Sequence, residues 1–379
     1  MRGEFVPEGD PELDDVEIWH LRDPEADVIE WVNTHAGRPR RVDLGALLDG
    51  ESTILVPRIS PNHVTVVAPK CNICPADFPR PPAPGSPAPG PVLPGGGNES
   101  VVLIDTGYVE GWDPLLDARV ATRLGGPRLD GSLKWTVNQA ADWIGQSVLD
   151  GIGGHGTFIA GQIARACDST IVSVGHRENV ATVAPGSASQ LFTSELAIAR
   201  SLLSHTGEVV HCGFAFPTLN GVASLPIALM LMGFAAREAP RPRPDTVIVA
   251  PAGNESSPAP FWPAAHPWVV GVAASEDVAK LGHRPAPFSN WGRWCDCVAP
   301  GRDVVSTYVD TPRISDGVYR TFAGLAAWSG TSFAAPTISA AIARRVAAGE
   351  APRDAAVSLL TSSTMSLTKW GTTLPHFLP

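Results

Sequence analysis

The sequence predicts an α/β protein built on a doubly wound parallel sheet flanked by helices, with a small N-terminal α+β module in front of it. Three observations predict this. Beyond residue 100, short apolar β-branched runs alternate with segments of helical periodicity, the pattern of parallel strands with helices on both faces. Residues 75–98 are dominated by Pro, Gly and Ala, which build no core and suit an extended, semi-rigid tether. The length of 379 residues exceeds one average domain and accommodates a core of roughly 270 residues plus a smaller module. The chain therefore divides into residues 1–74 as module, 75–98 as linker and 99–379 as main domain.

Taken in order, residues 1–15 are acidic, carry Pro and Gly, and read as loose. Val16–Leu21 alternates like a half-buried strand, and Pro24–Val32 has helical periodicity with a proline near its start. Ser52–Val56 and His63–Val67 read as two further strands. Val101-Val102-Leu103-Ile104 is a buried parallel strand ending in Asp105-Thr106-Gly107. Between Gly107 and Gly151 a mixed segment with Trp112, Trp135 and Trp143 reads as surface loops and a short helix. The glycine-rich run Gly151–Gly161 opens a helix at His155 that continues through Ala166. Thr170–Val174 follows as a strand, Ser194–Leu203 as a helix, and Glu208–Cys212 as a strand leading to Gly213-Phe214-Ala215. Finally, Gly330 permits a sharp turn into a buried helix in which Ala334, Ala335, Ile338, Ala341, Ile342 and Val346 recur at helical spacing.

Three residues stand where such a fold places chemistry. Asp105 ends a strand, His155 begins a helix, and Ser332 lies in the first turn of the Gly330 helix. A serine at the positive end of a helix dipole, beside backbone N–H groups, is placed to act as a nucleophile whose reaction generates an oxyanion. Each alone has a structural explanation, as an Asx turn, a core histidine and an N-cap serine. Together, each at an element terminus and each next to Gly-Thr, Thr-Gly or Thr-Ser, they point to one site.

At these residues the chain resembles the subtilisin-like serine proteases, or subtilases. The signatures Val-Leu-Ile-Asp105-Thr-Gly, His155-Gly-Thr-Phe-Ile-Ala-Gly and Gly-Thr-Ser332-Phe-Ala-Ala-Pro occur in the family's order. That order, Asp then His then Ser, separates them from α/β-hydrolases and trypsin-like enzymes. Val247-Ile248-Val249-Ala250-Pro251-Ala252-Gly253-Asn254 resembles the strand leading to the family's oxyanion asparagine, and Phe288-Ser289-Asn290-Trp291-Gly292 is a further match, followed by Asp296, Ala299-Pro300-Gly301 and Ser306-Thr307. The departures are Phe158 and Thr337, where histidines are frequent, and Phe333, where methionine is usual. They alter packing beside the site.

The resemblance implies a serine endopeptidase with Asp105, His155 and Ser332 as its triad and Asn254 in its oxyanion hole. Substrate would lie extended beside Gly213, Phe214 and Ala215, with Glu255 at the rim of the specificity pocket and Phe261 at its floor. The rival reading is a catalytically silent subtilase-fold protein that binds peptide. No cofactor is required for the chemistry, no metal ligand set is assigned, and a structural calcium ion cannot be read from the sequence. Ile59-Ser60-Pro61-Asn62-His63-Val64 resembles the closing strand of subtilase inhibitory propeptides, implying intramolecular inhibition; a surface-attached accessory module is the alternative.

The net charge of −10 argues against nucleic acid and anionic membranes as partners. No stretch reaches the roughly 20 apolar residues of a membrane span, and Met1–Glu8 has no hydrophobic signal core, which reads as a cytoplasmic protein. Of six cysteines, Cys71 and Cys74 form a lone Cys-x-x-Cys without a second ligand pair, leaving a local disulfide or two free thiols. Cys295 and Cys297 are expected on one strand face as buried small hydrophobes. His211 and Cys212 are neighbours on a strand, point to opposite faces and cannot pair.

Overall fold

The computed structural model describes residues 76–96, 100–109, 113–124, 154–175, 192–204, 207–218, 221–223, 246–278, 282–308 and 321–379, together with short strands before residue 67 and between 312 and 321. In the N-terminal module, β1 (Phe5–Gly9) pairs antiparallel with β2 (Glu17–Leu21), and β3 (Arg40–Asp43) with β4 (Thr53–Val56). β1 lies where the composition reads as loose. The predicted helix over 24–32, the Cys71/Cys74 pair and the three tryptophans 112, 135 and 143 fall outside the described residues.

The main domain is a ten-stranded sheet. Its strands are β6 (Ser100–Asp105), β7 (Val120–Leu124), β8 (Thr170–Gly175), β10 (Val209–Cys212), β11 (Val247–Pro251), β12 (Val269–Val278), β13 (Gly282–Pro285), β14 (Cys297–Pro300), β19 (Met365–Lys369) and β20 (Thr372–His376). The spatial order is β19-β20-β14-β12-β11-β10-β6-β8-β7, with β13 added to β12. From β7 to β20 every pairing along this path is parallel; β13 and β19 are antiparallel additions. Winding reverses beside β6: the chain first builds toward β8 and β7, then returns to lay down β10 and its successors. The carboxyl ends of β6 and β10 therefore flank the switch point, where α/β sheets place their crevice.

Strand alternation explains the continuous apolar runs. Val101 and Leu103 face one core with Val209, Val247 and Val249, while Val102 and Ile104 face another with Val210, Cys212 and Ile248. A strand covered on both faces has no polar face to show. Against the first face pack α2 (His155–Ala166) and α4 (Thr331–Ala347), through Phe158, Ile159, Ala334 and Ile338; against the second packs α3 (Glu195–Ser204), through Ile198, Ala199 and Leu202. α1 (Pro114–Asp117) is capped by Asp113, and α5 (Pro352–Ser362) follows α4. The hairpin-like pair β15 (Val304–Thr307) and β18 (Leu325–Trp328) lies over α2, where Ser306 Oγ donates to the Phe158 carbonyl. A second antiparallel pair joins β16 (Pro312–Ser315) to β17 (Val318–Thr321).

Two links bring the front of the chain onto this domain. β5 (Val64–Val66) pairs antiparallel with β9 (Phe192–Ser194), just ahead of α3. The stretch read as a tether is fastened by backbone bonds: Ala76 N to Ser329 O, Arg80 with Ala327 in both directions, Leu93 N to Ala164 O and Gly96 N to Asp168 O. Backbone pairing of this kind leaves no mark in composition.

The described cysteines Cys167, Cys212, Cys295 and Cys297 are free and buried. Cys297 opens β14 and joins the α4-side core, whereas Cys295 sits with Ala252 and Trp291. Their expected shared face is thus corrected, because the strand begins only at Cys297 and its alternation does not reach Cys295. His211 and Cys212 do diverge: the His211 Nδ1 meets Ser339 Oγ of α4, while Cys212 packs on the α3 side. Among the described residues no helix is long and apolar enough to cross a membrane.

Burial pushes His211 down to about 4, partly opposed by the nearby Asp105 carboxyl, and His266 down to about 3. Both folded values lie below the unfolded value of 6.5, so the unfolded chain binds more protons between pH 6.5 and 4 and acid unfolds the protein. Each histidine is expected to remove about 2 kcal/mol of stability on going from pH 7 to pH 5. Denaturant midpoints across this window check it. His211→Asn, which keeps a partner for Ser339, should flatten the slope; an unchanged slope would exclude His211 as a contributor.

Candidate active site

Asp105 closes β6 with its side chain fully buried, on the same strand parity as Val101 and Leu103 and hence on the α2 side of the sheet. His155 begins α2, also fully buried, and its Nδ1 lies 2.9 Å from both Asp105 oxygens. A carboxylate only accepts, so Nδ1 carries the proton and Nε2 presents its lone pair. Nε2 is buried and without a hydrogen-bond partner among the described residues. The Thr106 amide donates to Asp105 Oδ1 at 2.6 Å, and Thr106 Oγ1 accepts from the Gly156 amide at 3.0 Å, so the strand end and the helix start are bonded together. Gly213 completes the seat: a Cβ there would stand 1.6 Å from Asp105 Oδ2, so only glycine lets β10 pass so close.

Ser332 is the second residue of α4 and fully buried. Its amide belongs to the first helical turn, whose N–H groups have no carbonyl one turn back. Trp328 and Phe333, which bracket the Ser332 turn, both touch the His155 ring, at centroid distances of 5.5 and 5.2 Å. Phe158 closes the cluster against Phe333 at 4.7 Å and Trp328 at 5.7 Å. The two phenylalanines that depart from the resemblance are therefore packed on each other and form an apolar wall beside the imidazole.

Asn254 follows β11 through Gly253, and two reciprocal bonds tie this loop to the turn. The Gly253 amide donates to Thr331 Oγ1 at 3.0 Å, and the Thr331 amide donates to Asn254 Oδ1 at 2.8 Å. With Oδ1 committed, the Asn254 Nδ2 group is left as a buried donor without a partner among the described residues. Gly253 has φ +95°, and a Cβ there would strike Asn290 Nδ2 at 2.5 Å and the Phe261 ring at 2.7 Å. Asn290 itself clamps the loop, accepting from the Glu255 and Ser257 amides at 3.0 Å and donating to Ala252 O at 2.9 Å. Its role was not legible in the sequence, where it was one letter of a matching run.

Of the other expected residues, Gly213, Phe214 and Ala215 run on from β10 beside Asp105, all buried. Phe261 is buried with its ring against Gly253, one residue from Asn254. Glu255 is exposed next to Asn254, and partial burial raises its pKa. Among the described residues no group of three or more His, Cys, Asp or Glu is arranged to hold a metal ion.

Three comparisons bear on this geometry. The family model described as "Subtilase family" matches residues 96–368. A thermophilic serine proteinase of Bacillus sp. (strain AK1) is 40% identical over 94 residues, which are 25% of this chain and 20% of that protein. A cuticle-degrading serine protease of Arthrobotrys oligospora is 36% identical over 124 residues, 32% of this chain and 27% of that protein. The matched stretches thus span less than a third of either relative. Among solved structures, a protease from Pseudoalteromonas arctica PAMC 21717 aligns with TM-score 0.51 and 20% identity, covering 74% of this chain and 88% of that one, a likeness of fold.

Proposed function

The chain belongs to the subtilase family, and we propose that it is a serine endopeptidase working through Asp105, His155 and Ser332. The observation that carries this reading is the Asp105–His155 bond beside the Ser332 turn, with an acceptor, His155 Nε2, and a donor, Asn254 Nδ2, left without partners among the described residues on elements that pack against that turn. Each such orphan costs about 1–3 kcal/mol, and these two lie on elements that meet at one serine turn.

In the proposed reaction Ser332 Oγ attacks the scissile carbonyl while His155 Nε2 takes its proton. The imidazolium is steadied by Asp105, which also fixes the tautomer that makes Nε2 the base. The oxyanion is held by Asn254 Nδ2 and the Ser332 amide, and His155 returns the proton to the leaving amine. Water then enters as the second nucleophile, activated by the same imidazole, and releases the acid. Loss of one oxyanion donor costs roughly 10²–10³ in turnover, a figure measured in subtilisin. The peptide lies along Gly213-Phe214-Ala215 and adds a strand by main-chain bonds. As written, the chemistry uses no cofactor.

The N-terminal module acts on this site as an intramolecular inhibitor. Support comes from the β5–β9 pairing, which brings the propeptide-like strand onto the domain.

Ser332→Ala, His155→Ala and Asp105→Asn are each expected to abolish most peptide hydrolysis without additive losses, because the three act as one unit. Fluorophosphonate should tag Ser332 once the module is removed; a folded chain beginning at Ala76 that is neither tagged nor active is instead a peptide-binding protein. At the specificity pocket, the Phe261 ring occupies volume a large P1 side chain needs, and overpacking costs about 1–3 kcal/mol. The exposed Glu255 offers a basic P1 residue only about 0–1 kcal/mol. Ala, Ser or Gly at P1 should be preferred, and Phe261→Gly should raise kcat/KM for large P1 residues by roughly tenfold or more; no change would place the ring outside the pocket. For the module, a chain beginning at Ala76 should cleave peptide faster than the full chain, and equal rates would remove the inhibitory role.

A further inference from the structure

We propose that Asp77, in the Pro/Gly-rich strap ahead of the domain, is a positioning residue for the nucleophile turn. The inference rests on the serine peptidase reading above and adds to it a residue that lies outside the matched family segment, which begins at residue 96. Asp77 Oδ1 accepts from the Ser329 amide at 2.8 Å, and Oδ2 accepts from Ser329 Oγ at 2.9 Å. The Asp77 carbonyl accepts from the Trp328 indole Nε1 at 2.8 Å, and the preceding Ala76 amide donates to the Ser329 carbonyl at 3.0 Å. Ser329 and Trp328 are thus held from one side by a short piece of strap. Both precede Gly330, the residue from which the chain turns into α4 and Ser332.

The hold has two routes to the reacting atoms. Through Trp328 it reaches the imidazole, whose ring meets the indole edge-on. Through Ser329 it fixes the start of the turn: the Gly330 amide is bonded to Gly301 O at 2.8 Å, and the Asp303 amide to Ser329 Oγ at 3.2 Å. Arg80 secures the strap itself, with Nη1 at 2.6 Å from Asp77 Oδ2 and Nη2 on Asp303. A carboxylate meeting an amide and a hydroxyl at once is a charge-assisted, two-point bond with defined orientation. Nucleophile geometry is where small displacements are expensive, since about 1 Å of misplacement lowers rate by roughly 10²-fold.

The test compares Asp77→Ala and Asp77→Asn in the full chain with the parent. Turnover is expressed per active site, counted by fluorophosphonate titration, and hydrogen exchange is followed in the peptide covering residues 325–333. Asp77→Ala should lower kcat per titrated site about 10–100-fold with KM within about twofold, because the strap touches the nucleophile turn rather than the peptide groove. Exchange at the Ser329 amide should quicken by about tenfold or more, as loss of a charge-assisted bond implies. Asp77→Asn, which keeps an oxygen for that amide, should recover most of both, and it carries the comparison by itself if the alanine variant does not fold. A fall in melting temperature and in titratable fraction, with kcat per titrated site unchanged, would make Asp77 mere scaffold and overturn the inference. If Ser332 is tagged neither in the parent nor in a chain beginning at Ala76, the peptidase reading fails with its catalytic consequence, while unchanged exchange at Ser329 would overturn the hold itself.

Discussion

The contact on which the rest of the site depends is the buried pairing of Asp105 with His155. A carboxylate withdrawn from water needs donors on every side, and the structure supplies the Thr106 amide and the imidazole Nδ1–H, with Gly213 reduced to bare backbone so that nothing displaces them. This requirement propagates outward. It demands a strand end at Asp105, a helix start at His155 and a neighbouring strand that sheds its side chain at position 213. The reversal of strand order beside β6 meets all three demands, since it opens the crevice between the ends of β6 and β10.

A second constraint is dryness. His155 is walled by Trp328 and Phe333, with Phe158 edge-on behind them, and the Asn254 amide is turned by Thr331 so that its NH2 group remains the uncommitted end. In a water-filled cleft neither arrangement would be selective, because solvent would occupy both the imidazole nitrogen and the amide. In a low-dielectric pocket an unpartnered donor and acceptor are costly, and they become useful when the reacting groups arrive to satisfy them. The two phenylalanines that depart from the family pattern fit this logic, since Phe158 and Phe333 contact each other.

Sequence reasoning reached the elements that local pattern controls. The run 101–104, the helix from His155 to Ala166 and the strand at 209–212 were legible because a strand buried on both faces and a helix begun at glycine leave marks in adjacent residues. What it missed depends on partners distant in the chain. Asn290 reads as one polar residue in a loop, yet its three bonds to 252–257 hold the Asn254 loop in shape. The face of Cys295 was misread because alternation was extended past the start of β14. β1 was missed because the charge and proline of residues 1–15 outweigh a five-residue pairing.

The strap exposes the same limit in the composition argument and carries a consequence for the organisation of the chain. Pro, Gly and Ala indeed build no core of their own; residues 76–96 bind by backbone, by the charged side chains of Asp77 and Arg80 and by Val92 packed against the domain core, laid along β18 and the far end of α2. Chain continuity then separates two functions that composition merges. The segment through β5 touches the domain at β9, whereas the segment from Ala76 onward is bonded to the Ser332 turn. A release of the module that spares these bonds falls ahead of Ala76, twenty residues before the family match begins.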